Sequence, residues 1–296
     1  QMSLKPDHSD ILIHWTGRDI DEEYGDFSGQ VDPRVIPAYL QRLKFMLKYG
    51  LWMTQGRENF EVAGTVIKRP PYWRTCFTEL KLSEAAIHAE KFGRLGIGVK
   101  RFFLFNRLGS PMCYYQPYRH TWFTLPYAAK ESPAPAIDEY WSCFLKSMDE
   151  KQLGKWVEYK QFEESEWRII YSDKICERLN EYNKPQYNEY FKKLEAVQDV
   201  GFQDYVRTQC EKNKCPPPQF LIPLQEAGSG SGARAQWFAV IIYPHIGVKV
   251  AAEADPEIRK AIRALKPDCS QRHSSSAGYE EYCKPIEIDL GACKNF

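Results

Sequence analysis

Long apolar runs are missing from this sequence. The longest, such as Trp237 to Tyr243, fall far short of the ~20 residues a membrane-spanning helix needs, so no spanning segment is expected. The first stretch of chain lacks the basic, apolar and small-residue succession of a secretory signal. Gln1-Met2-Ser3 reads as a remnant around a start Met. Charge of one sign is missing too, with 40 Lys and Arg against 39 Asp and Glu. A protein led to nucleic acid by electrostatics carries a basic excess. Nucleic acid is therefore disfavoured as a partner, although this balance leaves room for a local basic face. Nine cysteines are present, an odd number, scattered from Cys76 to Cys293. They lack the dense, regular spacing of a secreted disulfide framework. Reduced thiols and a cytoplasmic location are expected.

Apolar and aromatic residues are plentiful. At 43% hydrophobic, the chain can bury a full core, and 14% aromatic content points to an aromatic-rich core, a stacking surface, or both. The length suits one large domain, or one domain with a small C-terminal lobe.

Periodicity places the elements. Ile11 to Trp15 reads as a buried strand, and the polar stretch from Thr16 to Asp32 as a long loop. A helix is expected from about Pro37, with Leu40, Leu43 and Leu47 on one face and Gly50 as its cap. Strands are expected at 60–68 and 74–78. A helix begins at Ser83 and ends at Gly93. Residues 95–105 and 111–115 read as a hairpin around Leu108-Gly109-Ser110. Tyr140, Trp141, Phe144, Leu145 and Met148 mark the apolar side of a further helix, and Trp167 to Tyr171 a strand. Residues 178–214 read as mostly helical, followed by a stiff break at Cys215 to Pro218. Gly228 to Gly232 reads as a flexible loop, and Trp237 to Tyr243 as a central strand. A helix opens at Asp255-Pro256 with Ile258, Ile262 and Leu265 on one face. After a Ser-rich loop at 268–282, Ile286, Ile288 and Leu290 alternate as a last strand.

Strands and helices do not alternate regularly, and no Gly-x-Gly-x-x-Gly follows the first strand. A dinucleotide-binding parallel sheet is thereby disfavoured. The pattern predicts an α+β fold built on a mainly antiparallel sheet with flanking helices. Residues 1–175 are expected to form the main part. Residues 176–296 add a helical insert and then a strand–helix–strand element that completes the same sheet.

Three polar clusters border predicted strands: His14-Trp15-Thr16-Gly17; Cys76-Phe77-Thr78-Glu79 with His88 and Phe92 to Gly98; and Glu163 to Arg168. Each has a bland reading. His14 can be a satisfied core histidine, Thr16 a turn cap, and Glu166 an exposed strand residue of an acidic face. Arg168 can be its structural ion-pair partner. Gly93, Gly96 and Gly98 read most simply as a helix cap and a strand approached closely by its neighbours. Cys210-x4-Cys215 and Cys269-x3-His273 have loosely zinc-like spacing but lie far apart in unlike contexts, and no metal is expected. Gly-x-Ser-x-Gly at 228–232 sits in a low-complexity loop and is no nucleophile elbow.

These clusters resemble, in order and spacing, the AbiGi family of abortive phage-infection proteins. The run from Cys76 to Leu82, His88 and Phe92 to Val99 carries most of the likeness. His14-Trp15-Thr16 and Glu164 to Arg168 carry the rest. The chain departs from the pattern at Glu79, Val99 and Ser165, and in its insert around 178–235. The resemblance implies a phage-defence protein, usually labelled the antitoxin half of a two-protein system, with a cognate toxin or other defence protein as partner. The same motif order is similar to that of ADP-ribosyltransferase-like folds, which implies a curved sheet and NAD as ligand. It also implies Glu166 and His14 as catalytic residues, with His14, Trp15, Thr16, Thr78 and Arg168 around the nucleotide. Cleavage of NAD builds positive charge on the ribose, which a carboxylate stabilises. Two functions are thus expected in competition. One is a site that binds or cleaves NAD, and the other is a non-catalytic regulator that neutralises a partner by protein–protein contact.

Overall fold

A computed structural model describes residues 10–25, 27, 32–56, 60–62, 65–67, 72–79, 82–115, 142–147, 165–173, 175–177, 189–224, 237–265 and 285–294. The chain opens with β1 (Ile11–Thr16), α1 (Arg18–Tyr24) and α2 (Val35–Tyr49). Four short strands follow: β2 (Leu51–Trp52), β3 (Thr54–Gln55), β4 (Phe60–Val62) and β5 (Thr65–Ile67). Next come β6 (Trp73–Thr78), α3 (Ala85–Phe92), β7 (Leu95–Lys100) and α4 (Arg101–Phe105). The strands β8 (Ser110–Pro111), β9 (Cys113–Tyr115), β10 (Leu145–Ser147) and β11 (Glu166–Tyr171) complete the first half. The second half holds β12 (Lys192–Lys193), α5 (Val200–Lys212), β13 (Phe220–Ile222) and β14 (Phe238–Tyr243). It ends with α6 (Ile246–Ala254), α7 (Pro256–Ala264), β15 (Ile286–Asp289) and α8 (Leu290–Cys293).

The main sheet runs β15-β14-β7-β1-β6-β11-β8, with β3 also paired to β6. Every pairing in it is antiparallel except β14 with β15. The fold is therefore α+β around an open, mostly antiparallel sheet, and β14 and β15 lie in the same sheet as β1. Side chains alternate between its faces, except at a bulge between Phe238 and Val240 of β14. On the front face, Leu12, Phe77, Ile97, Ile169 and Ile241 pack with Tyr39, Leu43 and Met46 of α2 and with Val248, Ile258 and Ile262 of α6 and α7. On the back face, Ile13, Trp15, Val240 and Ile242 pack with Ala85 and Ala89 of α3 and with Leu290 and Cys293 of α8. Gly98 points to this back face, where a β-carbon would come within 2.8 Å of Val240 Cβ. The lack of a side chain there lets β14 and β7 pack closely.

Several sequence expectations need correction. Residues 60–68, read as strand, hold the antiparallel pair β4 and β5, and Leu290, read in the last strand, opens α8. The expected loop at 16–32 contains α1. Its helical character was hidden by acidic residues, and it is held by buried Ile20 and by Tyr39 Oη, which donates to Asp21 Oδ1 at 2.7 Å. The expected hairpin at 95–115 does not form. The chain leaves β7 at Lys100 for the turn of helix α4, while β8 pairs with β11 and β9 with β10. The expected helix through Phe144 and Leu145 is instead the strand β10 from Leu145 onward, parallel to β9. A short apolar run fits either period, and tertiary pairing decides. In α2 the buried stripe is Val35, Tyr39, Arg42, Leu43, Met46 and Leu47, and Leu40 lies at its margin. Within 178–214 the described helix is α5, preceded by the strand β12. The expected loops at 228–232 and 268–282 lie outside the described residues. Among the described residues, no helix is long and apolar enough to cross a membrane.

Candidate functional site

The main sheet nearly parts between β1 and β6. Ile13 opposite Thr78 is the one aligned pair there, whereas β1 with β7 and β6 with β11 are each aligned over six. The strand β3 takes the far end of the same edge of β6, with Thr54 opposite Arg74 and Gln55 opposite Trp73. Between β1 and β3 the edge of β6 meets no strand among the described residues. His14 fills this gap from the front face, its Nδ1 lying 2.9 Å from the Cys76 carbonyl oxygen. A carbonyl only accepts, so the imidazole proton sits on Nδ1. Burial lowers the His14 pKa to about 4, with the Arg42 charge adding to the effect and the bond to Cys76 opposing it. The ring is neutral at pH 7 and packs at 5.8 Å from that of Phe77.

Thr16 shares the front face. Its hydroxyl accepts from Arg42 Nη1 at 2.7 Å, while Arg42 Nη2 meets Asp19 Oδ2 at 2.6 Å and Arg42 Nε meets Tyr205 Oη at 2.5 Å. The guanidinium is buried and also stacks over Trp52 and Tyr205. This network fastens α1, α2 and α5 to β1, and every polar group named in it has a partner.

The back face carries the other predicted residues. Trp15 Nε1 donates to Thr78 Oγ1 at 2.9 Å, and Thr78 Oγ1 lies 3.3 Å from the Ile13 carbonyl oxygen. Glu166 stands opposite Thr78 in the β6–β11 register. It is only 7% exposed, yet its carboxylate meets Arg168 Nε at 2.6 Å and Lys146 Nζ at 3.2 Å. Burial pushes the Glu166 carboxyl upward. The Arg168 charge and hydrogen bond, then the Lys146 charge, outweigh this and hold it below the usual carboxylate range. Arg168, 1% exposed, also donates to Tyr72 Oη at 3.3 Å and the Cys143 carbonyl at 3.2 Å. Beside them the Cys76 thiol is pushed up to about 12, first by burial and then by the Glu166 charge. It is protonated and donates to that carboxylate.

The six predicted residues therefore gather in two places. Trp15, Thr78, Glu166 and Arg168 converge on the back face, and His14 and Thr16 face the front. Sequence reasoning missed Lys146, which lies in a stretch read as helix, and Arg42. The latter had left a signal, being a charged residue in the buried stripe of α2 beside Leu43. Glu163 and Glu164 lie outside the described residues, as do Cys269 and His273. Among the described residues, no three His, Cys, Asp or Glu side chains gather as metal ligands would. In comparisons with known proteins, no family model, no curated protein and no solved structure matches this chain.

Proposed function

We propose that this is a phage-defence protein of the AbiGi type whose back-face strip binds, and turns over, NAD or a related adenine nucleotide. One observation carries the reading: Glu166 is kept ionised while buried, in register with Thr78, where the sheet parts. A buried carboxylate costs free energy unless cations surround it. Once held ionised, it can stabilise the positive charge that develops on a ribose as its glycosidic bond breaks. Arg168 and Lys146 supply the complementary charge for a pyrophosphate, and the Thr78 hydroxyl and Trp15 indole line the same strip. Titration calorimetry with NAD, NADP and ADP-ribose tests the binding. Nicotinamide release by the wild type, Glu166→Gln and the exposed-site control Glu90→Gln tests the chemistry. Saturable heat is expected, with release falling about a hundredfold in Glu166→Gln alone. Absence of heat at millimolar nucleotide removes the reading.

A second reading, a non-catalytic regulator that neutralises a toxin by contact, draws support from one feature. His14 and Glu166 face opposite sides of the sheet, and the His14 Nδ1 is already bonded. A ligand seated against Glu166 from the back does not meet His14. On this reading Glu166→Gln and His14→Gln both keep phage protection in cells, whereas the enzymatic reading requires Glu166.

A further inference from the structure

Helix α5 ends in a turn that lays two cysteines side by side. The Cys215 amide donates to the Cys210 carbonyl at 2.9 Å, and the Lys214 amide donates to the Glu211 carbonyl at 3.1 Å. Lys214 itself is left-handed, with φ 50°. Two nested bonds closed by one left-handed residue make the Schellman ending of a helix. In that ending the third-last helical residue and the second residue past the cap come into contact. Here those two positions are Cys210 and Cys215. A disulfide needs its α-carbons within about 7 Å of each other. A 2.9 Å bond from one residue's amide to the other's carbonyl keeps them inside that reach. Both residues are free thiols, and the two side chains hydrogen-bond to each other.

The two sulfurs are not equivalent. Cys210 is only 6% exposed and packs with Phe202, Val206 and Leu221, whereas Cys215 lies half-buried at the margin of the same cluster. Burial first, and then the bond to Cys215, push the Cys210 thiol up to about 12, with the Arg42 charge opposing them. Cys210 therefore stays protonated at neutral pH and donates to the Cys215 sulfur. A reagent in solution reaches Cys215 and finds Cys210 directly behind it. An accessible attacking thiol with a resolving thiol at its side is the arrangement that thiol–disulfide exchange requires.

We infer that Cys210 and Cys215 form a reversible dithiol–disulfide couple whose co-reactant is a small-molecule disulfide of the glutathione class. The Cys215 thiol gives its proton to water, and its sulfur attacks one sulfur of the small disulfide. That S–S bond breaks, and the departing thiolate takes up the proton. The Cys210 sulfur then attacks Cys215 Sγ of the mixed disulfide, and its proton passes to the second small thiolate as it leaves. The chain loses two electrons and two protons, and the small disulfide is reduced to two thiols. The new bond ties the end of α5, the helix whose Tyr205 meets Arg42, to the segment that leads into β13. The pair shares no residue with the Glu166 strip, so the inference does not rest on nucleotide binding.

The test equilibrates the full chain with mixtures of reduced and oxidised glutathione, blocks the remaining thiols with N-ethylmaleimide in acid, and maps tryptic peptides by mass. Cleavage after Lys212 and Lys214 separates the two cysteines, so an internal disulfide is read as a linked peptide pair. The linked pair is expected in the folded chain. Its equilibrium constant against glutathione should be about tenfold or more above that in ~8 M urea, because the turn holds the thiols together. Cys210→Ala should stop at a mixed disulfide on Cys215, whereas Cys215→Ala should leave the buried Cys210 unmodified at the same glutathione ratio. The wild type gives the same discrimination without a variant, since iodoacetamide should label Cys215 about tenfold or more faster than Cys210. No linked pair in the folded chain, or an equal constant in urea, overturns the inference. Equal labelling of the two cysteines overturns the assigned order of attack. Linked peptides that join Cys210 or Cys215 to any other cysteine overturn the pairing.

Discussion

Trp15 and Thr78 join the two halves of the main sheet from the side, the indole N–H donating to the threonine hydroxyl at 2.9 Å beside the one aligned pair of β1 and β6. With so little backbone pairing across this junction, side chains carry a larger share of the connection. Thr78→Val keeps the shape but leaves the buried indole donor unpaired, which typically costs about 1–3 kcal/mol. Thr78→Ser retains the hydroxyl and should cost less. Urea denaturation of the two variants checks the order, and equal losses would mean that the methyl group matters rather than the bond.

His14 should make stability depend on pH. Its folded pKa, about 4, lies below the ordinary value of 6.5, so the unfolded chain takes up the proton first. Stability from this group is fully present above pH 6.5, falls as the pH drops below it, and levels off near pH 4. The expected loss is about 1–3 kcal/mol, reduced by the partial exposure of the ring. Denaturant midpoints between pH 7.5 and 4.5 should fall more steeply for the wild type than for His14→Gln. The Glu166 carboxyl is also held low by Arg168, and its loss lies at more acid pH, below the ordinary carboxylate value.

Much of the sheet was legible because it is built from short runs whose apolar period is unambiguous. Ile11 to Trp15, Trp167 to Tyr171 and Phe238 to Tyr243 are strands both by pattern and in the structure. So is the helix opened by Asp255, whose carboxylate accepts from the Glu257 and Ile258 amides. What stayed hidden depends on contacts distant in sequence. Helix α1 reads as a polar loop until Tyr39, from another helix, takes Asp21. The strand β10 needs β9 to reveal itself. Strand parity separates His14 from Trp15, but their order along the chain says nothing of which face later meets Glu166. That follows from the registers of β1 with β6 and of β6 with β11, set by pairings 60 to 90 positions apart in the chain.

Arg42 is predicted to be the costliest charged residue to lose on the front face. Arg42→Met strands Asp19 and Thr16 at a buried site, and removing one member of a buried pair costs about 3–5 kcal/mol. Arg18 offers the contrast. Its pair with Glu22 at 2.8 Å is exposed on both sides, so Arg18→Ala should change stability by under ~0.5 kcal/mol. Thermal melts of the two variants test the difference.

Gly93 and Gly25 separate backbone strain from crowding. Both adopt positive φ, 108° and 83°. A β-carbon at Gly93 would meet the Arg18 amide nitrogen at 2.3 Å and the Thr16 carbonyl at 2.5 Å, whereas one at Gly25 meets nothing within 4 Å. Gly25→Ala should cost only the backbone penalty of its extended positive-φ conformation, φ 83° and ψ 166°, about 1–3 kcal/mol. Gly93→Ala must in addition push β1 and α1 apart and should cost clearly more. Equal costs in chemical denaturation would show that this turn yields easily.

The Glu166–Arg168 pair gives the sharpest separation between a structural and a functional carboxylate. Arg168 has alternatives, since it also reaches Tyr72 Oη and the Cys143 carbonyl. Glu166→Gln removes a charge but keeps an acceptor for the Arg168 Nε, and the guanidinium retains its other two partners. Arg168→Met does the opposite, leaving a buried carboxylate with only Lys146 and the Cys76 thiol. That asymmetry predicts a moderate loss for Glu166→Gln, about 1–3 kcal/mol, and a larger one for Arg168→Met, about 3–5 kcal/mol. The double variant Glu166→Gln/Arg168→Met carries neither buried charge and should recover part of the Arg168→Met loss, a coupling that a double-mutant cycle reads directly. Lys146→Met, at the more exposed partner, should cost least. Were the carboxylate purely structural, NAD binding and nicotinamide release per folded molecule would be unchanged in Glu166→Gln. For a functional one, release collapses in Glu166→Gln under conditions where the variant is fully folded, and restoring stability does not restore it. A cycle with no coupling between positions 166 and 168 would contradict the ion pair itself, and with it the account of why Glu166 stays ionised in the interior.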